Sequence, residues 1–310
     1  MGTSSKSYFQ YFPASDRDKK WGFHITTAGE CRISPHEPYP PPGHPTGYDF
    51  EWAHGRILFE HHVVYISRGR GWFESSQGPR QQVEAGDVIL LLPGVWHRYR
   101  PNLETGWDEH WVGFDGEIPR RWVREGFFSS TRPVLRPLHE EVLLPIFTGM
   151  IDAMKNNLPA LQQILTGSAC QILGWLYSAQ QARLTGSDQA KVWIQKAIDR
   201  MQNELSEELR LPALARHLNV SYSWFRRTFV RHTGSSPHQY LLQLRLARAR
   251  NLLAGTAITV KEAAQQSGFE DEHYFCRIFK ERIGSTPSQW RNRALGGKSD
   301  AQAPEKGGKP

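Results

Sequence analysis

The stretch FCRIFKERIGSTPSQW, Phe275–Trp290, rewrites FRRTFVRHTGSSPHQY, Phe225–Tyr240, at an interval of fifty positions. Phe225, Arg227 and Phe229 return as Phe275, Arg277 and Phe279. Gly234, Ser235, Pro237 and Gln239 return as Gly284, Ser285, Pro287 and Gln289, and Tyr240 gives way to a second aromatic, Trp290. Phenylalanines four apart share one helix face and turn inward together. A glycine with a proline soon after it ends a helix, because glycine accepts the left-handed cap and proline cannot continue the turn. The shared letters describe a helix with a buried face and a defined stop, written twice.

Each copy starts further upstream. LPALARHLNVSYSWF predicts a short helix from Pro212 to about Leu218, a break at Asn219, and a second helix whose N-cap is Ser221. VKEAAQQSGFEDEHYF predicts the same arrangement, with the break at Gly268 and Asp271 as an acidic cap. Between the copies, YLLQLRLARARNLLAG is strongly helix-favouring and would serve as a stiff spacer. Two short helices around a tight turn, the second with polar and cationic side chains near its start, make a helix-turn-helix. Charge points the same way. Leu211–Arg293 carries 13 lysines and arginines against 5 aspartates and glutamates, an excess of +8, while the whole 310-residue chain carries 38 against 31, or +7. Roughly a quarter of the chain holds the entire excess, as a polyanion partner would require.

Residues 190–293 resemble the DNA-binding domain of the AraC/XylS family of bacterial transcription regulators. GFEDEHYFCRIFKERIGSTPSQWR, Gly268–Arg291, follows that family's most diagnostic motif almost throughout. The resemblance implies two recognition helices entering successive major grooves on one face of double-stranded DNA. Carried over by position, it implies base contacts from Ser223, Arg226 and Arg227 in the first copy and from Glu272, His273, Cys276 and Arg277 in the second. The neighbouring Ser221, Tyr222, Arg231, Asp271 and Lys280 are further DNA-binding candidates. Arg226 has the fork geometry for guanine O6 and N7. Glu272 could accept from a cytosine amino group but would repel phosphate. Arg227 and Arg277 share one repeat position, for which base readout, phosphate clamp and intramolecular salt bridge all stay open. Cys276 and Trp224 read as packing residues.

The N-terminal half has a different pattern. Residues 1 to about 50 read as irregular, with the proline cluster EPYPPPGHPTGYDF (Glu37–Phe50) excluding a helix. From Arg56 to Gly113, β-branched and aromatic runs break at Gly69, Gly71, Gly86 and Pro93-Gly94, which predicts an antiparallel sandwich or barrel. GRGWFES, VEAGDVILLLPGVWHRYRP and GWDEHWVGFDG resemble the cupin-like sensor domain of the same family. In its sugar-responsive branch the ligand lies inside the barrel, and the resemblance implies effector contacts from Tyr99, Glu109 and Trp111; Arg56 at the start of the first strand, His97, and Trp96 among the clustered aromatics are further effector candidates. Trp107 and Phe114 read equally well as barrel core. A metal-binding cupin would need an H-x-H pair. His61 and His62 are adjacent, so they face opposite sides of a strand and cannot share a metal with His97.

Beyond Pro137, apolar residues recur at three- and four-residue steps over Val142–Met154 and Leu161–Ala182, for example Leu161, Ile164, Leu165, Ala169, Ile172, Leu173 and Leu176. In the family this region often makes a dimer contact, and the stripe could equally cover the barrel. The expected fold is α+β multidomain. A cupin-like β-barrel with flanking helices spans 1–136, a helical dimerisation segment 137–185, a linker 186–190, an all-α domain with two helix-turn-helix motifs 191–293, and a disordered tail 294–310. No apolar run long enough to span a membrane and no leader pattern is seen, and Cys31, Cys170 and Cys276 are too scattered for a disulfide framework. A cytoplasmic homodimer without catalytic residues, metal or cofactor is expected, controlling promoters in response to a small molecule of sugar type, with RNA polymerase as a further partner. Two alternatives stay open: a cupin-type metal-dependent enzyme with a DNA-binding appendage, and a DNA binder that needs no ligand.

Overall fold

The computed structural model describes residues 7–40, 52–137, 139–185, 188–207 and 209–299. Two compact units divide between Arg183 and Leu184. The first begins with β1 (Ser7–Tyr11), α1 (Asp16–Lys20) and β2 (His24–Ile33), and continues with β3 (Arg56–Ile57), β4 (His61–Ser75) and β5 (Gly78–Glu84). Then follow β6 (Val88–Leu91), β7 (Trp96–Pro101), β8 (Trp107–Asp115), α2 (Glu117–Arg124), β9 (Val134–Leu135), α3 (Leu143–Lys155) and α4 (Leu161–Thr185). All strand pairs are antiparallel, and one path runs β1-β2-β8-β4-β6-β9. The fifteen-residue β4 does double duty. Its first half pairs with β8 and β6, its second half with β5 and β7, and β7 also carries β3.

Because side chains alternate across a strand, the sheet built on β2, β8, β4 and β6 has two buried faces. Val63, Tyr65, Val88, Leu90, Val112 and Phe114 face α3 and α4, where they meet Phe147, Met150, Leu165, Ala169, Ile172 and Leu176. Val64, Ile66, Ile89, Leu91, Trp107 and Trp111 face inward, together with Phe73, Val83 and Tyr99 from the other strands. Burial on both faces explains why VILLL is a continuous apolar run rather than an alternating one.

Two expectations change here, and one reading left open is narrowed. Residues 7–33 are not irregular: they form β1, α1 and β2, and β2 sits between β1 and β8. Its buried positions include Thr27, Ala28 and Cys31, small side chains that give no strand-like apolar signal. The helical stripe of α4 lies against the barrel of its own chain, apart from Ile164, which is 39% exposed. Finally, α5 (Asp188–Asn203) starts inside the expected linker, and residues 186–187 lie outside the described residues.

The second unit continues with α6 (Leu211–His217), α7 (Tyr222–Thr233), α8 (Pro237–Gly255), α9 (Val260–Gln266), α10 (Glu272–Ile283) and α11 (Pro287–Ser299). Helix α11 runs six residues into the stretch expected to be disordered, and residues 300–310 lie outside the described residues. Two small cores sit side by side. One joins α5, α6 and α7 through Ile194, Met201, Leu214, Phe225 and Phe229; the other joins α9 and α10 through Ala263, Phe269, Phe275 and Phe279. Helix α8 serves both, giving Leu241 to the first and Leu246, Ala249 and Leu253 to the second. This is the α+β, two-part architecture expected from the sequence: a sheet-rich unit followed by a helical unit with two helix-turn-helix motifs. Among the described residues, no helix is long and apolar enough to cross a membrane.

Candidate functional site

The two helix-turn-helix units follow the local rules of their sequence. Ser221 Oγ accepts from Trp224 N at 3.3 Å, and Asp271 Oδ1 accepts from Tyr274 N at 2.7 Å, so both recognition helices start on a side-chain cap. Gly234 and Gly284 close them in the left-handed conformation. Phe225, Phe229, Phe275 and Phe279 are fully buried, which turns the remaining faces of α7 and α10 outward.

On α7, Tyr222, Ser223, Arg226, Arg227 and Arg231 are exposed, as is the cap Ser221. None of these three arginines is ion-paired with another described residue, so the intramolecular salt bridge that was one reading of Arg227 is not made among the described residues. On α10, Asp271, Glu272, His273, Arg277 and Lys280 are exposed, while Cys276 is half-buried against the second core. Burial pushes the Cys276 thiol upward, with Glu272 adding to the shift, which keeps it protonated. The repeated arginines differ in their surroundings. The Arg277 guanidinium lies 5.5 Å from the Tyr274 ring centroid. The residue matching Tyr274 in the first copy, Trp224, packs edge-on against Trp193 of α5. Tyr274 is therefore an exposed aromatic near the start of α10 that sequence reasoning misses; the available signal is that it is the repeat partner of a packed tryptophan.

Arg226→Ala is expected to remove about 1–3 kcal/mol of discrimination at one base pair. Selection from randomised duplexes checks this. One position of the recovered site should relax, whereas Arg231→Ala, if it contacts phosphate, should weaken all sequences evenly and flatten the salt slope.

In the first unit, five of the six effector candidates converge inside the barrel. Arg56 Nη2 donates to the Tyr99 hydroxyl at 2.7 Å, and its guanidinium carbon lies 5.5 Å from the Tyr99 ring centroid. Trp111 is buried and its Nε1 donates to Thr27 Oγ1 at 3.3 Å. His97 stacks on Tyr99 with ring centroids 6.2 Å apart. Glu109 is 6% exposed, and its Oε2 accepts from the Tyr39 hydroxyl at 3.1 Å. Tyr39 was missed in the sequence because it lies in the proline-rich stretch. Its ring contacts Tyr99 and, edge-on, Trp107, so it stands in the pocket with the rest.

Trp96 does not join them. Alternation along β7 turns His97 and Tyr99 inward and Trp96 outward, where its Nε1 donates to the His54 carbonyl at 2.8 Å.

Burial sets the protonation of this interior. It raises Glu109 to about 7, while the Tyr39 hydrogen bond and the nearby Arg56 charge pull the other way. Tyr39 and Tyr99 are raised for the same reason and stay neutral donors. Burial lowers His97 to about 3, so it is neutral; Nδ1 lies 3.0 Å from the Val95 carbonyl, and Nε2 is buried with no partner among the described residues. The result, among the described residues, is a buried, aromatic-walled interior that brings the Arg56 guanidinium and the titratable Glu109 carboxyl together with neutral hydrogen-bonding groups. That combination grips a small polar molecule with apolar faces. Metal ligation does not suit it, because the Arg56 charge acts on both His97 and His62. His61 lies on the opposite face, stacked on Phe114. Among the described residues, no three His, Cys, Asp or Glu side chains are grouped to hold a metal ion.

Comparison with known proteins agrees with both halves. Residues 42–173 match the AraC-like ligand binding domain and residues 214–293 match a helix-turn-helix domain. The transcriptional activator RhaR of Salmonella dublin is 36% identical over 249 residues, covering 74% of this chain and 84% of that one. The raffinose operon transcriptional regulatory protein RafR of Pediococcus pentosaceus is 24% identical over 235 residues, covering 74% and 83%. Among solved structures, the DNA-binding domain of AdpA in complex with a target DNA is 27% identical, covering 36% of this chain and 97% of that one, with a TM-score of 0.33. With a ligand-binding barrel in its first unit and two helix-turn-helix motifs in its second, the chain belongs to the AraC family and is a DNA-binding transcriptional regulator under small-molecule control.

Proposed function

We propose that the effector is a sugar or a closely related polyol. The observation that carries this reading is the hydrogen-bonded pairs Arg56–Tyr99 and Tyr39–Glu109 set between aromatic rings in a buried interior. Glu109 accepts from hydroxyls, Arg56 donates to ring or hydroxyl oxygens, and Trp107 or Trp111 offers a flat face to the C–H side of a pyranose. Relatives named for the raffinose and lactose operons support the same class. The effector acts by binding one state of the protein more tightly than another, which changes the DNA sites that the two readers occupy and, at a promoter, their contact with RNA polymerase.

The working assembly is a cytoplasmic homodimer. The stripe of α4 is committed to its own barrel, so the dimer contact proposed for residues 137–185 falls to exposed side chains such as Leu144, Leu158 and Ile164. The working domain limits are an effector unit that ends with α4 and a reader that begins with α5.

Thermal shift of the full-length protein against a sugar and polyol panel tests the effector class. A true effector at 100 times its dissociation constant is expected to add about 2.7 kcal/mol of stability. The gain should disappear in Arg56→Met. A panel with no stabilising sugar or polyol overturns the assignment.

A further inference from the structure

The two copies of the helix-turn-helix differ at one turn residue, and the difference has a physical cause. Asn219 and Gly268 occupy the same place. Asn219 N donates to the Arg216 carbonyl and Val220 N to the Ala215 carbonyl; Gly268 N donates to the Gln265 carbonyl and Phe269 N to the Ala264 carbonyl. Both residues are left-handed, with φ of 55° and 82°. Asparagine tolerates that conformation, so the turn itself does not demand glycine in the second copy. Its surroundings do. A Cβ on Gly268 would overlap the carbonyl oxygen of Leu205 and lie 2.7 Å from Arg245 Nε.

Leu205 belongs to the first reader. It lies in the segment between α5 and α6 and packs into the core that holds Phe225 and Phe229. Gly268 belongs to the second reader, beside Phe269 of the other core. Arg245 sits between them on α8, where the helix passes from serving one core through Leu241 to serving the other through Leu246. Its Nη2 donates to the Glu207 carbonyl at 2.9 Å, and the nearby Glu270, just before α10, and Tyr274, in its first turn, favour its charge against the cost of burial. The two readers therefore meet at a second place besides the shared helix: the Leu205–Glu207 segment of one rests on the Gly268 turn of the other, with Arg245 wedged at the seam.

We propose that Arg245 and Gly268 are positioning residues for DNA recognition. They touch no base; they fix the rotation and separation of α7 and α10, and so the spacing at which this chain reads two half-sites. Helix α8 alone resists bending but leaves each small core free to rock about it. A second contact, off the helix axis, removes that freedom.

The test uses the full-length protein and a pool of randomised DNA duplexes. Wild type should select two sequence blocks about one helical turn apart with one dominant spacing. Arg245→Met keeps the apolar stem and removes the guanidinium. Gly268→Ala keeps the turn short and pushes the Leu205 segment away. Both variants, checked by circular dichroism, should still recover the two blocks but accept several spacings, with about tenfold weaker binding to the wild-type arrangement. Unchanged spacing and affinity in folded Arg245→Met overturns the proposal. So does loss of the blocks themselves, or an unfolded Arg245→Met, since either makes the seam part of the fold rather than a gauge between readers. If Gly268→Ala fails to fold, Arg245→Met decides alone.

Discussion

Phe279→Ala is expected to cost about 3–5 kcal/mol and to abolish DNA binding. Phe279 is fully buried in the smaller core of the reading unit, against Phe275 at 5.4 Å and edge-on to Trp290 at 6.4 Å between ring centroids. Phe269, Leu246 and Leu253 pack in the same core, and because protein interiors are close-packed these neighbours can fill a phenyl-sized hole only in part. Since a domain's whole stability is only about 5–15 kcal/mol, the second reader should be largely unfolded at 37 °C. Phe229→Ala should do the same to the first reader, because the repeat places it identically against Phe225 and Tyr240. Urea unfolding followed by circular dichroism checks both. The helical transition should move to lower urea while the transition of the barrel unit stays where it is, and a loss below 1 kcal/mol would contradict the assigned core.

Glu109→Gln is expected to stabilise the barrel unit at alkaline pH by about 3 kcal/mol, and hardly at all near pH 4.5. The sign follows from linkage. The folded carboxyl is raised to about 7 by burial, against an ordinary value of 4.5. Between those values the folded state holds a proton that the unfolded state has released, so stability falls as pH rises through the window. At about 1.4 kcal/mol per unit, a shift of this size costs on the order of 3 kcal/mol once the group is ionised. Glutamine stays neutral and still accepts from the Tyr39 hydroxyl. The buried histidines act in the opposite direction. His61 is lowered to about 4 and His97 to about 3 by burial, so the stability they contribute is complete above 6.5 and is lost as pH falls. His24, His62 and His110 are lowered by the same cause. Wild type should therefore gain stability with pH more slowly than Glu109→Gln, the gap between the two curves opening from about pH 4.5 and levelling off above about 7. Chemical denaturation at half-unit steps from pH 5 to 8 checks this; parallel curves for the two proteins would show that Glu109 is not held in a dry site.

The helical half was legible because its signals are local. Caps at Ser221 and Asp271, stops at Gly234 and Gly284, and phenylalanines four apart all act within one or two turns, so spacing alone located them. The seam at Gly268 was only half legible: the glycine was visible as a break, but its reason is a carbonyl sixty-three positions away at Leu205. In the barrel, the strongly apolar strands were visible, while β2 was not, since Thr27, Ala28 and Cys31 are buried by their neighbours rather than by their own hydrophobicity. An aromatic residue type suggests a pocket place for Trp96, but strand alternation with His97 and Tyr99 argues for the outer face, which it takes. Tyr39 needed the folded chain, because nothing in a proline-rich run announces that one of its aromatic rings returns to Glu109.

Effector control of DNA reading can be measured directly by fluorescence anisotropy, with full-length protein, at one fixed salt concentration, on a labelled duplex recovered from the randomised pool. A sugar or polyol that stabilises the barrel unit should change the dissociation constant for this duplex by about 5–150-fold, as coupling of 1–3 kcal/mol requires. The duplex should change the affinity for that sugar by the same factor, and Arg56→Met should abolish both effects. Equal dissociation constants with and without a saturating sugar would contradict control of DNA binding by the barrel.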